Sequence, residues 1–236
     1  MYQYAYLIGG LMFLLIWLSI YMIRRDLRKQ MLFVSLFVAA ASVIAQCLMW
    51  TIDWWRPETI TGTRIGIEDF ILGFSQGGLG AVLYELAFKH RLRSLKKTSV
   101  VFRFLSQRRW LLLSPLILGF LILFGGFYWL GWHSYPATIA AFVAGIFVIL
   151  LLRQDLFWNS IFSGAALVLV SLPFYFILEF LSTGIIQKFW LMENLSGVMF
   201  FKIPVEDLVF YFFAGAFLAP LYEFLFRQRL VKIPAD

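Results

Sequence analysis

Ile65-Gly66-Ile67-Glu68-Asp69 and Ile203-Pro204-Val205-Glu206-Asp207 stand 138 residues apart, and each opens a long apolar stretch. At the same offset Leu83-Tyr84-Glu85 falls on Leu221-Tyr222-Glu223, and Arg91-Leu92 on Arg229-Leu230. Between residues 65–92 and 203–230, 12 of 28 positions are identical, more than shared apolar composition gives. Upstream, with gaps, Trp55 and Gly62 fall on Trp190 and Gly197. Arg24-Arg25-Asp26-Leu27 is similar to Arg153-Gln154-Asp155-Leu156. The chain therefore reads as a tandem repeat, with 1–92 as the first copy, 93–131 as a linker and 132–236 as the second copy.

Outward from these motifs the sequence is that of a membrane protein. Sixty-two per cent of the residues are hydrophobic and 14% are charged, far from the balance of a soluble domain. The apolar residues gather into seven stretches, 2–23, 31–52, 67–88, 110–130, 137–152, 160–181 and 205–226. Each is close to the length that crosses a ~30 Å hydrocarbon core. The first is too long, and too closely followed by others, to read as a cleaved signal peptide. The single cysteine, Cys47, lies within a span, which excludes an intrachain disulfide and a thiolate metal site. The expected fold is an all-α integral membrane protein of seven transmembrane helices.

The basic residues orient it. With the amino terminus outside, Arg24, Arg25, Arg28, Lys29, Lys89, Arg91, Arg93, Lys96, Lys97, Arg103, Arg108, Arg109, Arg153, Arg227, Arg229 and Lys232 face inward. Only Arg56, Arg64, Lys188 and Lys202 face outward. Sixteen against four accounts for all 20 and satisfies the positive-inside rule. The carboxyl terminus is then inside, and the fourth crossing lets the second repeat start on the same side as the first. The repeats are expected to be parallel, related by a two-fold axis along the membrane normal. The basic loop 89–109 reads as this topology signal and as attraction to anionic lipid. No recognition motif accompanies it, so a nucleic-acid partner is not expected.

Carboxylates in apolar surroundings are costly and are functional candidates. Glu68, Asp69, Glu206 and Asp207 are predicted at one level, near the outer ends of the third and seventh spans. Their bland reading is first-turn capping of a helix, with Pro204 as a first-turn proline. Adjacent helical positions point about 100° apart, so one acid of each pair can face the interior while its neighbour caps. Asp53 and Glu179 mark the outer ends of the second and sixth spans and are open to either reading. Glu85 and Glu223, seventeen residues beyond Glu68 and Glu206, lie about 25 Å deeper, where ion pairing with nearby Arg and Lys is expected. Gly73 and Gly77 read as a helix-packing face.

A carboxyl held in a dry pocket favours its neutral form and can protonate a weak base. Trp50, Trp54, Trp55, Trp190, Tyr211, Phe212 and Phe213 lie near these acids and offer faces that stabilise a cation, although Trp and Tyr also form ordinary interfacial belts. No dinucleotide or P-loop motif is present, and no aspartate pair has the spacing that clasps Mg²⁺ and a diphosphate. His90 and His133 are predicted on opposite sides of the membrane, so no metal site is expected.

Both repeat motifs resemble the membrane-embedded lycopene cyclases, found as two small subunits in some bacteria and as one fused chain in archaea and fungi. Their signature is Pro–apolar–Glu–Glu/Asp opening an aromatic helix, with an upstream Trp and Gly. Trp55, Gly62, Glu68-Asp69 and Tyr84-Glu85 match it, as do Trp190, Gly197 and Pro204-Val205-Glu206-Asp207. The first copy departs in Gly66, where the proline stands, and in Asp69, where a second Glu is usual. The resemblance covers nearly the whole chain. It implies an isomerising carotenoid cyclase, multi-pass in the cell membrane, that needs no cofactor. Glu206 or Glu68 would protonate a terminal double bond, the cation would close a β- or ε-ring, and Asp69, Asp207 or water would remove a proton. Trp55, Phe74, Trp190, Tyr211 and Phe212 would line the substrate. A C50 cyclase or hydratase, or a non-enzymatic transporter or assembly subunit, stays open, as does homo-oligomerisation.

Overall fold

The computed structural model describes residues 2–95, 102 and 107–233. Lys96, Lys97 and Arg103 of the basic loop lie outside them. The chain is predominantly helical. Helix α1 is Tyr2–Ile23 and α2 is Arg28–Ala45, which runs through a π-helical turn, Gln46–Trp50, to Asp53. Then come α3, Ile67–Gly80, and α4, Leu83–Ala87. The linker helix α5 is Ser114–Tyr128, followed by α6, Ser134–Leu152, and α7, Phe157–Leu181. The short α8, Ile185–Phe189, precedes α9, Val205–Leu225.

Among the described residues six helical stretches are long and apolar enough to cross a membrane: Gln3–Ile23, Arg25–Asp53, Trp110–Tyr128, Ser134–Leu152, Gln154–Leu181 and Val205–Leu225. The third stretch expected from sequence, 67–88, differs because it is broken into α3 and α4. Val82 leaves helical geometry at φ −127°, ψ 3°, after a segment weakened by four glycines. The side-chain amide of Gln30 donates to the Ala81 carbonyl at the break, at 2.7 Å. At the equivalent position α9 carries Pro220 and stays continuous.

The wholly helical expectation also missed two antiparallel ribbons. Strand β1, His90–Ser94, pairs with β4, Gln228–Lys232, placing Leu92 opposite Leu230. Strands β2, Met199–Phe200, and β3, Ile203–Pro204, pair just ahead of α9. Trp55 and Trp190 form an isolated antiparallel bridge. Leu92 with Leu230, and Trp55 with Trp190, are the residues that the repeat superposes, and here they meet one another.

Helix α3 packs on α1 and α2, and α9 packs on α6 and α7; α1 meets α7 and α3 meets α9, while α5 lies against α6. The glycines of α3 permit its close approach to α2. A Cβ on Gly77 would sit 2.7 Å from the Val38 Cβ and 3.0 Å from the Val34 carbonyl, and one on Gly73 would strike the Ser42 side chain. The packing reading of these glycines therefore holds.

At the other end the two halves carry matching clamps. Arg24 pairs with Asp26 at 2.9 Å and donates to the carbonyls of Glu85 and His90. Arg153 pairs with Asp155 at 2.7 Å and donates to those of Glu223 and Gln228. Among the described residues the Glu85 and Glu223 side chains form no ion pair, although one was expected from sequence, because Arg24 and Arg153 are held by the neighbouring aspartates and by backbone. The two buried carboxyls instead meet between the halves, where Gln30 Nε2 reaches Glu85 Oε1 at 2.9 Å and Glu223 Oε1 at 3.4 Å. Asn159 Nδ2 donates to Glu223 Oε1 at 3.2 Å.

Candidate active site between the two halves

Glu68 and Asp69 occupy the first turn of α3, and Glu206 and Asp207 the first turn of α9. All four are at most 5% exposed. The two members of each pair turn to different partners. Glu68 Oε1 accepts from the Ile60 backbone N–H at 2.6 Å, and Glu206 Oε1 accepts from that of Ser196, also at 2.6 Å. Each loop turns on a glycine in the left-handed region, Gly62 at φ +68° and Gly197 at φ +77°, which explains why glycine recurs at that point of the repeat. The glutamates thus fasten the preceding loops to the helix starts, and the Oε2 atom of each is buried without a hydrogen-bond partner.

The aspartates face a cavity of about 70 Å³ shared by both halves. Asp69 Oδ1 accepts from the Tyr6 hydroxyl at 2.7 Å and from Gln46 Nε2 at 2.9 Å, while its Oδ2 accepts from the Gly66 N–H at 2.8 Å. Asp207 Oδ2 accepts from the Tyr175 hydroxyl at 2.7 Å, and Trp54 and Trp190 border the same cavity. Gln46 lies in the π-helical turn of α2; such turns re-aim side chains and recur at functional sites.

Aromatic rings make up much of the remaining wall. Tyr6 and Trp55 meet edge to face at 5.3 Å, Trp55 and Trp190 lie 5.4 Å apart, and Trp54 and Phe210 lie 5.1 Å apart. Tyr211 accepts a hydrogen bond from Gln76 Nε2 at 2.6 Å, which ties α3 to α9 across the cavity. Beside the cavity the loops of the two halves are joined through backbone: Arg56 N–H donates to the Phe189 carbonyl at 2.6 Å and Leu191 N–H to that of Trp54 at 2.9 Å.

Of the residues expected to line a substrate, Trp55, Trp190 and Tyr211 border the cavity with the two aspartates. Phe74 and Phe212 do not. They stand five residues beyond Asp69 and Asp207, about 140° around the helix. Phe74 packs on Trp17 at 4.9 Å, and Phe212 lies against Gly164. Sequence reasoning passed over Tyr6, Gln46 and Tyr175. Their signal was available, since polar side chains in otherwise apolar spans face protein and not lipid. Asp53 and Glu179 serve elsewhere. Asp53 accepts from the Ser134 N–H at 2.9 Å at the start of α6, and Glu179 accepts from Gly184 N–H and pairs with Lys202 at 3.3 Å.

One buried acid from each half thus borders a single aromatic cavity in a chain of long apolar helices. The family profile described as lycopene cyclase matches the chain twice, over residues 3–87 and 132–225. The chain belongs to the lycopene cyclase family. No curated protein and no solved structure matches it.

Proposed function

We propose that the chain is a carotenoid cyclase that closes ionone rings on a linear carotenoid, with Asp69 and Asp207 as its proton-handling pair. The observation that carries this reading is the convergence of these two buried carboxyls, one from each repeat, on a single aromatic cavity. One carboxylic acid donates its proton to the terminal double bond, giving a tertiary cation. The next double bond attacks that cation and the ring's carbon–carbon bond forms. A carboxylate then takes a proton from a carbon next to the new cation, and the carbon chosen decides between β and ε rings. Atoms and electrons balance without a redox partner, so the reaction is an isomerisation.

The faces of Trp50, Trp54, Trp55 and Trp190 offer cation–π stabilisation while carrying no lone pair that would trap the cation. Tyr6, Gln46 and Tyr175 orient the aspartates. Glu68 and Glu206, expected from the resemblance to be the acids, act in this proposal through the loops they hold. The backbone join of Trp54–Arg56 to residues 189–191 keeps water from the cation.

The same reading takes the chain as seven crossings of the cell membrane, amino terminus outside and carboxyl terminus inside, with α3 and α4 together forming the third. Residues 1–92 and 132–236 are then parallel repeats about a two-fold axis, and 93–131 the linker. The meetings of Trp55 with Trp190, Glu85 with Glu223 and Leu92 with Leu230 support this, because equivalent residues can touch only at such an axis. The test of the chemistry is conversion of lycopene by cell membranes in deuterated water. One solvent deuterium per ring, on the carbon beside the new quaternary centre, is the expected product. Rings without deuterium, or no rings, would overturn acid-initiated cyclisation.

A further inference from the structure

The halves meet along two equivalent seams, α6 against the end of α2, and α1 against α7, and the two are finished differently. At the first, Trp50 Nε1 donates to Thr138 Oγ1 at 2.9 Å and Asp53 holds the start of α6. The linker helix α5, which has no counterpart in the repeat, packs on α6 and reaches α2 through a bond from the Tyr128 hydroxyl to the Leu48 carbonyl at 3.0 Å. That seam is bolted and covered.

The α1/α7 seam instead carries an apolar groove of about 360 Å³, walled by Met12, Phe13 and Ile16 on α1 and by Leu169, Val170 and Pro173 on α7. Pro173 lies inside α7, where it removes one backbone hydrogen bond and crowds the carbonyl four residues earlier, that of Leu169. At its upper end the groove meets Phe174, which also borders the acid cavity. This ring fills a notch at Gly9, where any Cβ would collide with it, and it packs on Phe13 at 5.2 Å. Its neighbour Tyr175 holds Asp207, and Tyr6, nearly two turns before the groove on α1, holds Asp69. Along α1 the groove runs from Met12 to Ile16, about 6 Å.

We propose that this groove is the binding channel for the polyene chain of a linear carotenoid, with Phe174 as the partition between channel and acid cavity. The proposal rests on the cyclase reading above. Three features argue for a polyene. A cavity of about 70 Å³ accepts at most the end of a long chain, so the remainder must leave it. Backbone bonds join residues 54–56 to 189–191 beside the cavity, and α5 lies over the opposite seam. The groove is lined by apolar side chains and its rim is open, Leu169 being 67% and Ile16 43% exposed. A single channel also means that one end group is processed at a time, and a two-ringed product requires the molecule to leave and return reversed.

The test uses the full chain in lipid nanodiscs with lycopene as the probe. Leu169→Trp and Ile16→Trp fill the groove from its exposed rim, and Leu121→Trp on the lipid face of α5 is the control. Both groove variants are expected to raise the KM for lycopene about tenfold, the effect of an overpacked contact, with kcat near wild type. Kinetics indistinguishable from the control would overturn the channel and leave the cyclase reading intact. Should the wild-type protein make no rings, the cyclase reading fails, and the channel is then judged by lycopene retained on the purified protein. Retention lowered by the groove variants alone upholds it; equal retention by all three overturns it.

Discussion

At the residue scale the site turns on a division of labour inside two adjacent pairs. Glu68 and Glu206 accept loop N–H groups, while Asp69 and Asp207 accept from tyrosine hydroxyls at the cavity wall. Glu206→Gln keeps an acceptor for the Ser196 N–H, so activity within about tenfold of wild type is expected when one hydrogen bond changes from charged to neutral. Tyr175→Phe removes a hydrogen bond to a buried carboxyl without altering shape. The expected loss of kcat is about tenfold, by the usual worth of a bond to a charged group, read as initial rates on lycopene. The acids themselves were legible in sequence because duplicated, adjacent and apolar-flanked carboxyls are rare. Which member faces inward was not, since helical phase is set by the approach of α1 and α7, far away in the chain. The same blindness placed Phe74 and Phe212 in the site, whereas their phase turns them to neighbouring helices.

At the scale of elements, α3 and α9 show how one repeat unit accommodates two sequences. Helix α3 is thin, with glycines laid on α2, and it stops at Gly80, before the break at Val82. Helix α9 is bulkier and passes through Pro220 unbroken. Gly77→Leu drives a branched side chain into Val38, and overpacking of this kind costs about 1–3 kcal/mol. A lowered midpoint of thermal unfolding in detergent is the expected readout. The arginine clamps can be ranked in the same way. The Arg153 side chain is 4% exposed and that of Arg24 17%. Arg153→Ala therefore strands more buried carbonyl groups, and its unfolding midpoint is expected to fall further than that of Arg24→Ala. Six of the seven stretches were readable from hydropathy to within about six residues, whereas 67–88 is broken at Val82. The ribbon of β1 with β4 was not, because its strands are short and basic, lie in segments that read as loops, and pair only once the two repeats have come together.

For the whole molecule, the repeat found in sequence becomes contact between equivalent residues at three levels, Trp55 with Trp190, Glu85 with Glu223 and Leu92 with Leu230. Polar groups hold the middle level, and Gln30 reaches both glutamates. Gln30→Leu leaves two buried carboxyls without their common donor, and breaking such a network costs about 1–3 kcal/mol. Loss of thermal stability is expected while the cavity acids remain intact. The asymmetries matter as much as the symmetry. Helix α5 lies over one seam, and the other carries an apolar groove with Pro173 in its wall.

The central claim is that the cavity aspartates, one from each repeat, handle the protons of cyclisation. The direct measurement compares wild type, Asp69→Asn, Asp207→Asn and Glu206→Gln in lycopene-accumulating bacteria, with pigments resolved by chromatography and protein levels matched in the membrane. Removing a general acid or base costs about 10²–10⁴ in rate. Cyclic carotenoids are therefore expected from wild type and Glu206→Gln and not from either aspartate variant. Wild-type levels of rings from Asp69→Asn or Asp207→Asn would contradict the account.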